Sequence, residues 1–157
     1  MNWRKKNVKG LILDLRDNGG GLVNTCIEIA DEFLDEGIVT YVEDKNKKRN
    51  EYKSEDGKTD LKTVTLVNEN SASCSEILAA ALKDNGIKIV GNKTFGKGVI
   101  QSTMELSDGS ALKLTIMQYF SPKGNVINEK GVTPDYEIKN VENSSKDEQL
   151  EKAMSLF

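Results

Sequence analysis

Two stretches of this chain share one order of events: a buried strand, a turn of small and polar residues, and a helix with an apolar face. The first opens with the near-continuous apolar run Val8 to Leu15 (Val-Lys-Gly-Leu-Ile-Leu-Asp-Leu), the pattern of a strand covered on both faces. It breaks at Arg16-Asp17-Asn18-Gly19-Gly20-Gly21, and apolar residues then recur at Leu22, Val23, Cys26, Ile27, Ala30, Phe33 and Leu34 with helical spacing. Gly37 is placed to close that helix as a C-terminal glycine. The second stretch runs from Lys62 to Val67, through Asn70-Ser71-Ala72-Ser73-Cys74-Ser75-Glu76, into the apolar helix Ile77 to Leu82. Two such units predict an α/β fold whose sheet gathers both turns at its carboxyl edge, which sets the three glycines beside the serines.

The rest of the chain fits around those units. Ile38 to Val42 and Arg49 to Ser54 read as strands flanking a charged turn, residues 55–60 as loop, and Ile87 to Val90 as a short strand. Val99 to Leu106 and Ala111 to Phe120 alternate around Ser107-Asp108-Gly109, a hairpin signal. Asp147 to Leu156 reads as a terminal helix. At 157 residues the chain is long enough for one domain with a core and short for two. With 30% charged residues and a net charge of -3, its lysines dispersed among acids, nothing calls for nucleic acid. No run approaches the ~20 apolar residues of a membrane span, and Met1 to Lys6 lack the apolar segment of a signal peptide. Cys26 and Cys74 fall on different elements without Cys-x-x-Cys spacing, so two buried thiols are expected rather than a redox motif, a metal site or a disulfide.

What constrains the chemistry is the absence of histidine. Ser/His/Asp and Cys/His arrangements cannot be built within this chain, and the common zinc sites go with them. An activated serine would need Lys, Asp or Glu as its base, and the Ser-Lys pair is the available variant. Lys97, bracketed by Gly96 and Gly98, is the candidate. Each feature also has a structural reading. Ser73-x-x-Glu76 fits a capping box, the triple glycine is either an oxyanion or anion site or a tight connection, and most lysines are solvated. A basic Lys97 must lose its proton near neutral pH, about three units below the reference of ~10.4, by desolvation among neighbours such as Phe95 and Val99. Three features converge on the serines: the glycine turn, the bracketed lysine and, beyond it, Gln101.

Those residues, in order, resemble the C-terminal processing (tail-specific) proteases. The resemblance is carried by Leu13 to Gly21, Asn70 to Ile77, Gly91 to Gln101 and Gly131-Val132-Thr133-Pro134-Asp135. It implies a serine endopeptidase with a Ser-Lys dyad on an α/β, ClpP/crotonase-like core: a mixed sheet with flanking helices and no cofactor. By motif position it makes Ser73 the nucleophile and Lys97 the general base, with Gln101 positioning the lysine and Asp84 matching an acid implicated in some members. The oxyanion hole would be the backbone N–H of Cys74 with that of Gly20 or Gly21, and Ser71 and Ser75 are the rival hydroxyls. The family further implies an unfolded or extended polypeptide as substrate, a PDZ domain in the full-length protein, an oligomer as a possibility, and an extracytoplasmic (periplasmic or cell-envelope) location. Two departures stand out. Cys74 replaces a common alanine, and few residues precede the first motif, so residues 1–157 are expected to be a single, N-terminally truncated protease core in which Trp3 to Lys6 end a helix. The competing expectation is a truncated core without catalysis that binds peptides or mediates assembly; a CoA-binding crotonase relative has no motif in its favour.

Overall fold

The computed structural model describes residues 8–140 and 145–157, so Trp3 to Lys6, read as a helix end, lie outside the described residues. The elements follow in the order β1 (Gly10–Asp14), α1 (Val23–Asp31), β2 (Gly37–Asp44), β3 (Arg49–Ser54), β4 (Lys62–Val67), α2 (Cys74–Asp84), β5 (Lys88–Gly91), β6 (Val99–Glu105), β7 (Ala111–Phe120), β8 (Tyr136–Glu137) and α3 (Glu148–Met154). They form a mixed α/β architecture. Parallel and antiparallel strands, expected in one mixed sheet, separate into two: a parallel sheet in the order β1-β4-β5-β8 and an antiparallel sheet in the order β3-β2-β7-β6.

The apolar runs are explained by what covers the parallel sheet. On one face α2 buries Ile77, Leu78 and Leu82 together with Ala30 and Leu34 from the α1 region, and fully burying an aliphatic side chain of that size is worth about 1.5–3 kcal/mol. Helix α2 is buried along almost its whole length, from Cys74 to Leu82, as a helix apolar on every side must be. On the other face Ala153 of α3 packs with Val64, Leu66 and Val90, joined by Ile12, Leu150 and Leu156. Strands β1, β4 and β5 are therefore covered on both sides.

Three features of the fold differ from the sequence pattern. Helix α1 stops at Asp31, six residues before Gly37 would have ended it, and Gly37 instead opens β2. The terminal carbonyl of Glu32 accepts from the Thr59 N–H at 2.8 Å, while Phe33 and Leu34 turn back to Ala30 at 3.0 Å each. Those apolar residues thus reach the core from a turn rather than a helix. The strand β8 has only two residues, too few to show a period. In the β6–β7 hairpin, the row Leu112, Leu114, Ile116 faces outward together with Met104, so its alternation does not mark a buried face.

Candidate active site

Register brings the two turns together. Strands β1 and β4 run in parallel with Asp14 opposite Leu66, and one further bond from Leu15 N–H to Leu66 O at 2.9 Å carries both to the same edge. Beyond it the turns are stitched to one another. The Asp17 N–H donates to Asn68 Oδ1 at 2.9 Å, and the Asp17 carboxylate accepts from the Asn68 and Asn70 amides at 2.9 and 2.8 Å. The Ala72 N–H donates to Asn18 O at 3.0 Å. Hydrogen bonds from Asn70, and then Asn68, hold the exposed Asp17 carboxyl below the usual carboxylate range. The three glycines do stand beside the serines.

Gly20 makes the closest approach. It adopts φ +95°, and a β-carbon there would lie 2.7 Å from Ala72 O and 2.8 Å from Cys74 N, so only glycine fits. Ser73 itself sits at φ 56°, ψ -118°, immediately before α2, a non-glycine conformation that costs on the order of 1–3 kcal/mol and persists only where the surroundings enforce it. Cys74 is the first residue of α2, so its N–H has no partner within the helix. The Gly20 N–H donates to Asn18 Oδ1 at 2.9 Å. Next to these groups is a cavity of about 160 Å³ lined by Leu15, Leu22, Cys26, Ile29, Cys74 and Leu78, among others. Both cysteines are free and buried; Cys26 donates to Cys74 O at 3.3 Å and Cys74 to Gly21 O at 2.9 Å. Burial and the neighbouring Cys74 push the Cys26 thiol up to about 12.

What enforces the Ser73 backbone is Glu76. Its side chain is fully buried, and its Oε2 accepts the Ser73 N–H at 2.9 Å and the Lys97 N–H at 2.7 Å. Its Oε1 accepts the Gly96 N–H at 2.6 Å and the Thr94 hydroxyl at 2.5 Å. Thr94 Oγ1 in turn accepts the Val132 N–H at 2.7 Å. One carboxylate therefore joins the serine turn, the lysine loop and the segment 131–135. The sequence assigned Glu76 only to a capping box and gave Thr94 no role. The available signal was a glutamate among buried helix positions, which must find donors to be tolerated.

The other expected residues fall out differently. Ser71 is fully buried, donates to Leu15 O at 2.7 Å and accepts the Asn68 N–H at 2.9 Å, so it holds the turn and is no free hydroxyl; Ser75 is buried on α2. The Lys97 side chain is exposed and Phe95 is 69% exposed, so this chain does not build the apolar surroundings expected for the lysine. Gln101 is exposed on β6, at a register shift after Ile100. Among the described residues neither the Lys97 ammonium nor the Gln101 amide takes a hydrogen-bonding partner. Asp84 ends the 11-residue helix α2, about 16 Å from Ser73 at ~1.5 Å per residue. Its Oδ2 accepts from Ser121 Oγ at 2.5 Å and Lys123 N–H at 2.9 Å, ordering a turn rather than the serine. Among the described residues no group of side chains could hold a metal ion, and no helix is long and apolar enough to cross a membrane.

Comparison with known proteins places this geometry among relatives. Residues 1–138 match the family described as Peptidase family S41. The chain is 46% identical over 140 residues, 86% of its length and 27% of the relative's, to the chloroplastic carboxyl-terminal-processing peptidase 2 of Arabidopsis thaliana. It is 43% identical over 138 residues, 85% of its length and 30% of the relative's, to the chloroplastic C-terminal processing peptidase of Tetradesmus obliquus. Among solved structures, the photosystem II D1 C-terminal processing protease superposes with a TM-score of 0.81 at 40% identity, over 87% of this chain and 36% of that one. The chain thus spans less than a third of the length of these curated relatives.

Proposed function

The chain belongs to peptidase family S41, and on that premise we propose that it carries the catalytic core of a serine endopeptidase acting on unstructured or C-terminal segments through Ser73 and Lys97. The observation that carries this proposal is the Glu76 bridge, which fixes the backbones of Ser73 and Lys97 on one carboxylate oxygen. A cap alone does not need the second partner. The strained Ser73 backbone, beside the first N–H of α2 and the Gly20–Gly21 backbone, supports a nucleophile with an oxyanion site at its back.

In the reaction, neutral Lys97 takes the Ser73 hydroxyl proton as Ser73 Oγ attacks the substrate carbonyl carbon. The resulting oxyanion is held by the Cys74 N–H and the Gly21 N–H. As the tetrahedral intermediate collapses, the C–N bond breaks and Lys97 returns the proton to the leaving amine. Water, giving its proton to Lys97, then attacks the ester carbonyl; the C–Oγ bond breaks, Lys97 returns the proton to Ser73 Oγ, and the new carboxylate leaves. Because Lys97 is exposed here, the bound substrate must exclude water from it to favour the neutral form. The cavity of about 160 Å³ beside Cys74 suits an apolar side chain of the substrate. Gln101 would orient Lys97 in that closed state, with Asp84 acting only through the turn it orders.

Residues 1–157 are on this reading one protease-core unit of a longer protein, partnered by a PDZ domain and working extracytoplasmically. The exposed, unpartnered Lys97 favours the rival, a core that binds extended peptides without cleaving them. Hydrolysis of an unfolded protein from pH 6 to 10, with Ser73→Ala and Lys97→Ala alongside, separates the two. Turnover that rises with pH and is lost in both variants is expected; peptide binding equal in all three proteins, without turnover in any, would establish the rival.

A further inference from the structure

The Arg16 side chain stands where β1 gives way to the glycine turn and reaches the C-terminal end of the chain. Its Nε and Nη2 meet the Asp14 carboxylate at 3.0 and 2.7 Å. Its Nη1 meets both Asp147 oxygens at 2.9 and 2.8 Å, and Gln149 Oε1 at 3.2 Å. Exposed ion pairs contribute little, but this side chain is 17% exposed and its planar fork meets two carboxylates with paired N–H donors, a geometry an ammonium does not reproduce. Asp147 caps α3 by accepting the Leu150 N–H at 3.0 Å. Gln149, 3% exposed, spends its Nε2 on Ile138 O at 2.8 Å. The start of α3 is thus assembled around Arg16.

What Arg16 holds is the strained part of the turn. The next residue, Asp17, is left-handed at φ 56°, and beyond it Asn18 accepts from Ala72 and from Gly20. Arg16 and Asp14 lie within the stretch matched to the family, whereas their partners Asp147 and Gln149 lie beyond its end at residue 138. We propose that Arg16 is a positioning residue: locked by Asp14 and by the cap of α3, it keeps residues 17–21, and with them the Gly21 N–H of the proposed oxyanion site, in place against Ser73. The role in catalysis rests on the Ser73 reading above; the hold on the turn does not.

The test combines amide hydrogen exchange with steady-state kinetics on the whole chain for Arg16→Gln, Arg16→Lys, Asp147→Asn and a Val39→Ala control in the other sheet. Faster exchange confined to residues 16–21 and 68–73 and to the first turn of α3 is expected in the first three, with Arg16→Lys giving no rescue. With it, kcat falls at least about tenfold and KM stays within about twofold, the signature of an interaction made in the transition state. The double variant Arg16→Gln with Asp147→Asn should lose no more than either alone. Unchanged exchange in residues 16–21, or a uniform rise matching that of Val39→Ala, would overturn the proposal. Localised loosening in a chain that hydrolyses nothing in any form would support Arg16's hold on the turn and count against the peptidase reading instead.

Discussion

At the scale of single residues, Glu76 decides most. Its carboxylate accepts from three backbone N–H groups and the Thr94 hydroxyl with no exposure to water. Glu76→Gln puts an amide NH₂ against some of those donors and leaves them unpaired. At about 1–3 kcal/mol per buried unsatisfied group, a loss of about 3 kcal/mol is expected, read from urea unfolding, with hydrolysis abolished. A loss under about 0.5 kcal/mol, the range of ordinary surface substitutions, would contradict the bridge. Cys26 allows a second check. With its thiol pushed up to about 12 by burial and by Cys74, it should resist alkylation at pH 8 in the native chain and react on unfolding; fast native alkylation would show that α1 and α2 part. Ser73, Lys97 and the glycines were legible as motifs because special backbone and charge leave a mark on sequence. The Glu76 hub was not, because its donors come from segments that only the fold brings together.

At the scale of elements, the central fact is that β1 and β4 end in register and deliver two turns to one place. Gly20→Ala tests that junction. A methyl group 2.7–2.8 Å from the backbone of residues 72–74, at φ +95°, forces the turns apart. Activity should disappear, and the melting temperature should fall by several degrees, as about 2 kcal/mol does in a domain of this size. The same substitution at Gly19, where a β-carbon meets nothing within 4 Å, should change either by little; equal effects at both positions would refute the close packing. The buried strands and α2 were readable because apolar runs covered on both faces differ sharply from their turns. The end of α1 was not, since Phe33 and Leu34 continue its apolar spacing while Thr59, distant in sequence, takes the Glu32 carbonyl.

For the molecule as a whole, parallel and antiparallel strands were legible but their division into two sheets was not, because the short β8 that completes one sheet has no pattern of its own. The glycine turn and the start of α3 also tie stability to pH. Asp17 is held below the usual range by Asn70 and Asn68. Burial pushes the Asp147 carboxyl up, but the Leu150 N–H and Arg16 outweigh it and leave it lowered too. Groups whose folded pKa is depressed contribute stability that is complete above the unfolded value of ~3.9 and is lost as pH falls through the folded one. Thermal melting should therefore be flat in this respect from pH 7 to 5 and fall below about 4, less steeply in Asp17→Asn; an unchanged slope in that variant would deny Asp17 a part. On the proposed reading Ser73 is a nucleophile activated by Lys97. Its most direct test is to treat the chain with a serine-directed fluorophosphonate and map the adduct by mass spectrometry. A single adduct on Ser73, absent in Ser73→Ala and strongly slowed in Lys97→Ala, is the predicted result; labelling that ignores Lys97, or an unlabelled Ser73, would contradict it.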